Sequence, residues 1–280
     1  MGAVLALIAS LSWGCADFVA GLSTRRVGAL RVLALSYPVG ALPLTFAALF
    51  LVPGVIDREV IAWSVVVGIA GILAMYLFYR ALAEGPMGIV SPITAVLSAV
   101  IPVGVGLAIG ETLSILAVAG MVMALIAVIL VSVEWGGTRS ISTKALAFAL
   151  GSGVAIGAYL ATVGLSPPDS GLWVVTLGRW IACIPLLVVV LFTIRSLPWS
   201  GVAYPFTFVI ASGILDATSN SLFQIAVRMD ALAIVGLIGS LYPAATVVLA
   251  RVFLDERMSR TQVVGVGLAL VAAACLAVSA

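Results

Sequence analysis

"FYRALAEGPMGIV" (78–90) and "FQIAVRMDALAIV" (223–235) are two versions of one stretch. Phe78, Ala81, Ile89 and Val90 recur 145 positions later as Phe223, Ala226, Ile234 and Val235. The same offset pairs Glu111 with Glu256, Ser114 with Ser259, Gly120 with Gly265 and Leu125 with Leu270. Upstream, "GILA" (71–74) matches "GILD" (213–216), and Pro43 matches Pro185, both at an offset of 142. A shift of three residues, about one helical turn, therefore enters the second half near "ATSN" (217–220). A duplication on this scale decides the architecture once the elements of each copy are counted.

The 280 residues are 64% hydrophobic and 9% charged, with a mean hydropathy of +1.32. A soluble domain of that composition has too little polar surface to cover itself, so the solvent is lipid. A bilayer core of about 30 Å takes about 20 apolar residues per helix. Apolar runs fall near 2–22, 32–52, 60–82, 88–110 and 114–133, then near 145–164, 172–194, 202–227, 231–254 and 262–280. The runs are continuous rather than alternating, which excludes a β-barrel. The expected fold is all-α integral membrane, with ten transmembrane helices as two inverted five-helix repeats. The first repeat covers 1–133, a linker 134–144, and the second repeat 145–280. An odd number of spans per copy turns the second copy upside down. Inverted repeats are the plan of secondary transporters, which bind substrate near the midplane between the copies.

What the chain lacks narrows the chemistry. There is no His, which removes the common zinc sites, haem ligation and Ser–His or Cys–His nucleophiles; no metal and no cofactor are expected. Cys15, Cys183 and Cys275 are far apart and read as small packing residues. A formal charge of +2 with no basic face gives nucleic acid nothing to hold. No Gly-rich phosphate loop ending in Gly-Lys is present, so ATP is not the driver. The first residues carry no basic region or cleavage site of a signal peptide, and Ala6 stands where myristoylation wants Ser or Thr.

Polar residues inside the spans mark the expected site. Asp216, Asn220 and Gln224 lie four apart, on one stripe of the eighth span. A carboxylate at that depth costs about 3 kcal/mol on insertion scales and so faces protein or water. Ser10, Trp13, Gly14 and Asp17 share a face of the first span. Asp17 either joins Asp216 in one cavity or pairs with Arg25 or Arg26. The first arrangement makes Asp17 and Asp216 the candidates for proton coupling or cation recognition. Tyr76, Tyr79, Ser91, Thr94, Ser98, Tyr159, Gly236, Ser240 and Tyr242 complete the expected lining, each also readable as packing. Pro92 is expected to loosen the fourth span. Arg179, inside the seventh span, is expected to pair with an acid or line the cavity. Glu111 and Glu256 read as structural ends of the fourth and ninth spans, with Ser114 and Ser259 as caps and Gln262 completing a capping box.

"SLYPAATVVLARVFLDERMSRTQVVGVGLALVAAACLAV" (240–278) resembles the closing signature of the ten-helix EamA-type drug/metabolite transporters. Pro243, Glu256, Arg257 and Gly265 occupy its positions; "AIGETLSILAVAG" (108–120), "SLSWG" (10–14) and Arg179 are weaker echoes. The first copy has Ser98 where the Pro would stand, and Asp17 departs from the apolar or small polar residue usual there. The resemblance implies export of small metabolites, amino acids or drugs, driven by a cation gradient; the residues read further as an alternating-access transporter of solutes such as amino acids or organic amines. The expected protein is multi-pass, of a prokaryotic inner membrane, monomer or homodimer, and, with no His and no aspartyl-protease pair of Asp residues, not an enzyme. An uncoupled facilitator is the alternative, with an intramembrane enzyme or lipid-handling protein behind it.

Orientation stays open. With the first end cytoplasmic, cytoplasmic loops hold Arg58 and Arg228, against Arg25, Arg26, Arg31, Arg80, Arg139, Lys144, Arg195, Arg251, Arg257 and Arg260 opposite. The positive-inside rule favours both ends outside, whereas the resemblance implies both inside.

Overall fold

The structure, a computed structural model, describes residues 1–85, 87–132, 141–193, 203–254 and 259–279. Those residues form α1 (Gly2–Val27), α2 (Ala29–Phe50), α3 (Arg58–Glu84), α4 (Met87–Ala108), α5 (Ile115–Ser132) and α6 (Thr143–Leu165). There follow α7 (Trp173–Thr193), α8 (Ala203–Ala226), α9 (Leu232–Gly239), α10 (Tyr242–Leu254) and α11 (Arg260–Ser279). A 3-10 turn (Pro168–Ser170) precedes α7. No strand occurs among the described residues. Glu256, Arg257, Arg139, Arg195 and positions 134–140 of the expected linker lie outside them, as do the side chains of Arg25, Arg26, Pro92 and Pro243.

Local chemistry sets the boundaries. Asp57 caps α3 by accepting from the Val60 amide at 2.8 Å, and Ser142 caps α6 by accepting from Ala145 at 3.1 Å. Ser114 caps α5 through the Ala117 amide. Ser259 and Gln262 exchange bonds of 3.2 and 2.9 Å in a reciprocal box at the start of α11. Gly28 alone separates α1 from α2, at φ +84°, where a side chain would be strained.

Among the described residues, six stretches are long and apolar enough to cross a bilayer: Gly2–Thr24, Ala29–Phe50, Arg58–Glu84, Thr143–Leu165, Phe206–Ala226 and Leu232–Phe253. Ile93–Ala108, Ile115–Ala127 and Trp173–Val188 are shorter apolar helices. Large apolar side chains such as Phe46, Ile69, Ile184, Leu187 and Val263 point outward, more than half exposed. In water such a surface would aggregate; against acyl chains it costs nothing. This is a multi-pass membrane protein.

Two sequence expectations change. Pro92 leaves α4 unbroken from Met87 to Ala108. The interruption falls instead in the ninth run, where α9 ends at Gly239 and α10 starts at Tyr242. Pro243, second in α10, has no amide to continue a helix but fits a first turn. A helix restarts there.

α1 packs along α8 and α3 along α6, while α2 lies against α7 and α8, and α3 against α7. Glycines bring backbones together at two of these crossings. A Cβ on Gly40 would sit 2.6 Å from the Gly213 carbonyl oxygen, and one on Gly68 2.6 Å from that of Gly178. α4 packs against α6 and α9, α1 against α9 and α10, and α5 against α11.

Contacts gather at the end at which α1 begins. The Val55 amide donates to the Asp169 carbonyl at 3.0 Å. The Ala3 amide donates to Asp230 Oδ2 at 2.7 Å. Arg228 donates to the carbonyls of Ser166 at 2.8 Å and Pro167 at 3.1 Å, beyond the end of α6. Glu111 accepts from the first two amides of α9, Leu232 at 2.7 Å and Ala233 at 3.0 Å. A carboxylate there satisfies orphan donors and the positive end of the helix dipole, which matches the structural part read for Glu111. At the opposite end, Glu84 pairs with Arg80 at 2.6 Å and Lys144 at 3.1 Å.

Candidate functional site

Where α1, α2, α3, α6, α7, α8 and the α9–α10 break converge, the helices leave a cavity of about 720 Å³, its mouth included. Its wall is mostly apolar, with Phe78 and Ile156 among the lining residues, and carries three formally charged side chains: Asp17, Arg179 and Asp216.

Asp216 and Arg179 are held together. Arg179 Nη2 donates to Asp216 Oδ2, both residues being about nine-tenths buried. The guanidinium also lies over the Tyr37 ring, 4.1 Å from its centroid, a cation–π contact strengthened by desolvation. Tyr37 is itself fixed by donating to the Gly71 carbonyl at 3.1 Å. Both alternatives read for Arg179 are therefore realised, as acid partner and as cavity wall. The lone carboxylate expected at 216 has its cation on the next helix.

Asn220, one turn further along α8, accepts from the Tyr159 hydroxyl at 2.5 Å and donates to the Asp216 backbone carbonyl at 2.6 Å. This ties α6 to α8. Trp13 lines the cavity and meets Phe223 at 5.5 Å between ring centroids. Ser240, at the helix break, also lines it, its hydroxyl turned back to the Leu237 carbonyl at 2.7 Å.

Asp17 differs from its neighbours. It is 6% exposed and lines the cavity, yet among the described residues nothing donates a hydrogen bond or a counter-charge to it. It faces the same space as Asp216, as the shared-cavity reading expected.

Ser98 and Gly236 of the expected lining lie outside the cavity, and so do five further expected residues. Gln224 is fully buried but accepts from the Val175 amide at 3.4 Å and reaches Ser170 at 3.5 Å, bracing the start of α7. Thr94 bonds the carbonyls of Val90 at 3.0 Å and Ala149 at 3.4 Å, tying α4 to α6. Ser91 is buried with its hydroxyl unpaired, Tyr76 accepts from Arg80 at 3.3 Å, and Tyr79 packs beside Phe78. None of the five lines the cavity. Their spacing placed them on plausible faces, but a face is not a direction until the neighbouring helix is known.

Tyr37, Gly71 and Phe78 line the cavity without having been singled out. Tyr37 left a signal: it is the one aromatic ring with a polar end in α2 and sits beside Pro38. For Gly71 the reason is steric, since a Cβ there would press the Tyr159 ring at 3.3 Å.

Comparison with known proteins meets this geometry at one point. The EamA-like transporter family matches residues 1–133 and 143–278. The chain belongs to that family. EamA-like membership makes it a membrane transporter of the drug/metabolite type. A solved crystal structure of a protein superposes with a TM-score of 0.72 at 20% identity, over 99% of this chain and 96% of that one, a likeness of fold alone. No curated protein matches the chain.

Proposed function

We propose that this EamA-like protein moves small organic solutes, metabolites such as amino acids or organic amines, across the membrane by alternating access. It would do so as ten spans in two inverted five-helix repeats, 1–133 and 145–280. One observation carries the reading: the cavity is walled by helices of both halves of the chain, with its charged groups inside. The packing scheme supports the repeat. Exchanging α1 with α6, α2 with α7, α3 with α8, α4 with α9–α10 and α5 with α11 maps the helix contacts onto one another. α1–α8 becomes α6–α3, α2–α8 becomes α7–α3, and α5–α11 maps onto itself. The copies also run oppositely: the start of α1 meets Asp230 beyond α8, while the start of α6 meets Glu84 closing α3 at the other end. The break between α9 and α10 suits a substrate site, since interrupted helices place backbone ends at mid-membrane.

Coupling is assigned to Asp17 rather than Asp216. Asp216 has Arg179 as its ion-pair partner, so its charge is already compensated. Asp17 has none, and an isolated carboxylate in apolar surroundings takes up a proton or a cation. The test is solute counterflow in proteoliposomes with internal pH recorded, wild type beside Asp17→Asn. Solute-dependent proton movement that disappears in the variant supports coupling at Asp17. Flux without proton movement makes the protein a facilitator, and absence of counterflow for every solute refutes transport.

A further inference from the structure

We propose that the cavity selects organic monocations, an ammonium group on an apolar or aromatic body, and that Asp17 is the carboxylate with which the ammonium pairs. This rests on the transporter reading of the same cavity and narrows its substrate class.

The argument is a charge count among the described lining residues. Two acids, Asp17 and Asp216, face one base, Arg179. Arg179 is committed twice, to the Asp216 carboxylate and to the Tyr37 ring. Asn220, the neutral group beside them, is occupied on both sides of its amide. Asp17 is thus the one acid without a counter-charge inside a wall that is otherwise neutral in sum. A monocation completes that balance. A zwitterion or an anion does not, because its carboxylate finds no free cation. To bind one, Arg179 would have to leave Asp216, stranding two buried carboxylates.

The walls near the charge agree. Trp13 lies one turn before Asp17 on the same face of α1, and both line the cavity. Phe78 and Tyr242 meet edge to face at 6.3 Å and line it too. Aromatic faces beside a carboxylate are the usual surroundings of an alkylammonium group. The Tyr242 hydroxyl is buried with no hydrogen-bond partner, so the cavity holds a second polar group left open for a ligand.

The experiment is calorimetric titration of the full chain in nanodiscs with three probes that share one ring: phenethylamine, benzyltrimethylammonium and phenylalanine. The expected result is binding of both cations and at least tenfold weaker binding of phenylalanine. Asp17→Asn should weaken the cations at least tenfold, while Asp17→Glu restores affinity to within a few-fold. Phenylalanine binding as tightly as phenethylamine, unchanged cation affinity in Asp17→Asn, or failure of both cations to bind at millimolar concentration each overturns the proposal. Should Asp17→Asn not fold, the cation-against-zwitterion comparison in the wild type decides alone. Counterflow of the same probes separates the two readings. Asp17-dependent binding without flux removes the transporter and leaves the cation site. Flux of phenylalanine without flux of either cation keeps the transporter and removes the site.

Discussion

Asp216 and Arg179 stand 37 positions apart, and nothing in their spacing announces that they meet. The acid was legible as an intramembrane carboxylate and the base as an intramembrane cation, each costly alone. That each resolves the other depends on how α7 lies against α8, which is tertiary information. The pair reverses a simple expectation about Asp216→Leu. Removing a carboxylate from a scaffold ought to stabilise it, but here it leaves Arg179 buried and unpaired. Breaking such a pair from one side costs about 3–5 kcal/mol, whereas replacing both with apolar groups is often neutral. Asp216→Leu should therefore lower the melting temperature of the detergent-solubilised protein, and the double variant Asp216→Leu/Arg179→Met should recover most of the loss. A smaller effect is expected for Tyr159→Phe. It deletes one bond to Asn220 at 2.5 Å, worth about 1 kcal/mol, and the same melting assay reads it.

Helices were the most readable level. The Ser114 and Ser259 caps and the Gln262 box stand where the residue pattern put them. The break after Gly239 was not legible, because Pro92 and Pro243 look alike as letters and only the latter coincides with an interruption. The contacts between helices were equally hidden, and they make the sharpest prediction at this scale. A side chain on Gly213 would put its Cβ 2.5 Å from the Ser36 carbonyl oxygen, with backbone on both sides unable to yield. Gly213→Val should reduce the folded, monodisperse fraction on size exclusion severely, since overpacking between rigid elements costs about 1–3 kcal/mol or more. Gly104→Ala, where a Cβ would meet nothing within 4 Å, should leave the same profile unchanged. The difference lies in what faces the glycine, not in glycine itself.

For the whole molecule, the duplication in the sequence foretold two comparable halves, and the exchange of helix contacts between them is consistent with it. The contacts that Val55, Asp169, Arg228 and Asp230 make at the end where α1 begins have no counterpart in the repeat, although Glu111 there is paired with Glu256. Val55 and Asp169 touch across that end through their backbones. In a variant with the three native cysteines replaced, Val55→Cys/Asp169→Cys joined by a short bifunctional thiol reagent should abolish counterflow. Reversing the link with a cleavable reagent should restore it. Counterflow that persists in the linked protein would mean that this end does not open during transport.

Glu111 has a consequence of a kinetic kind. While α9 is seated on its carboxylate, the two amides of Leu232 and Ala233 stay dry. In the alternating-access cycle proposed above, carboxylate and amides must each acquire water to part, so opening at that end is a hydration step with its own barrier. That cycle would then take its pace from one side chain remote from the cavity, and its choice of solute from others.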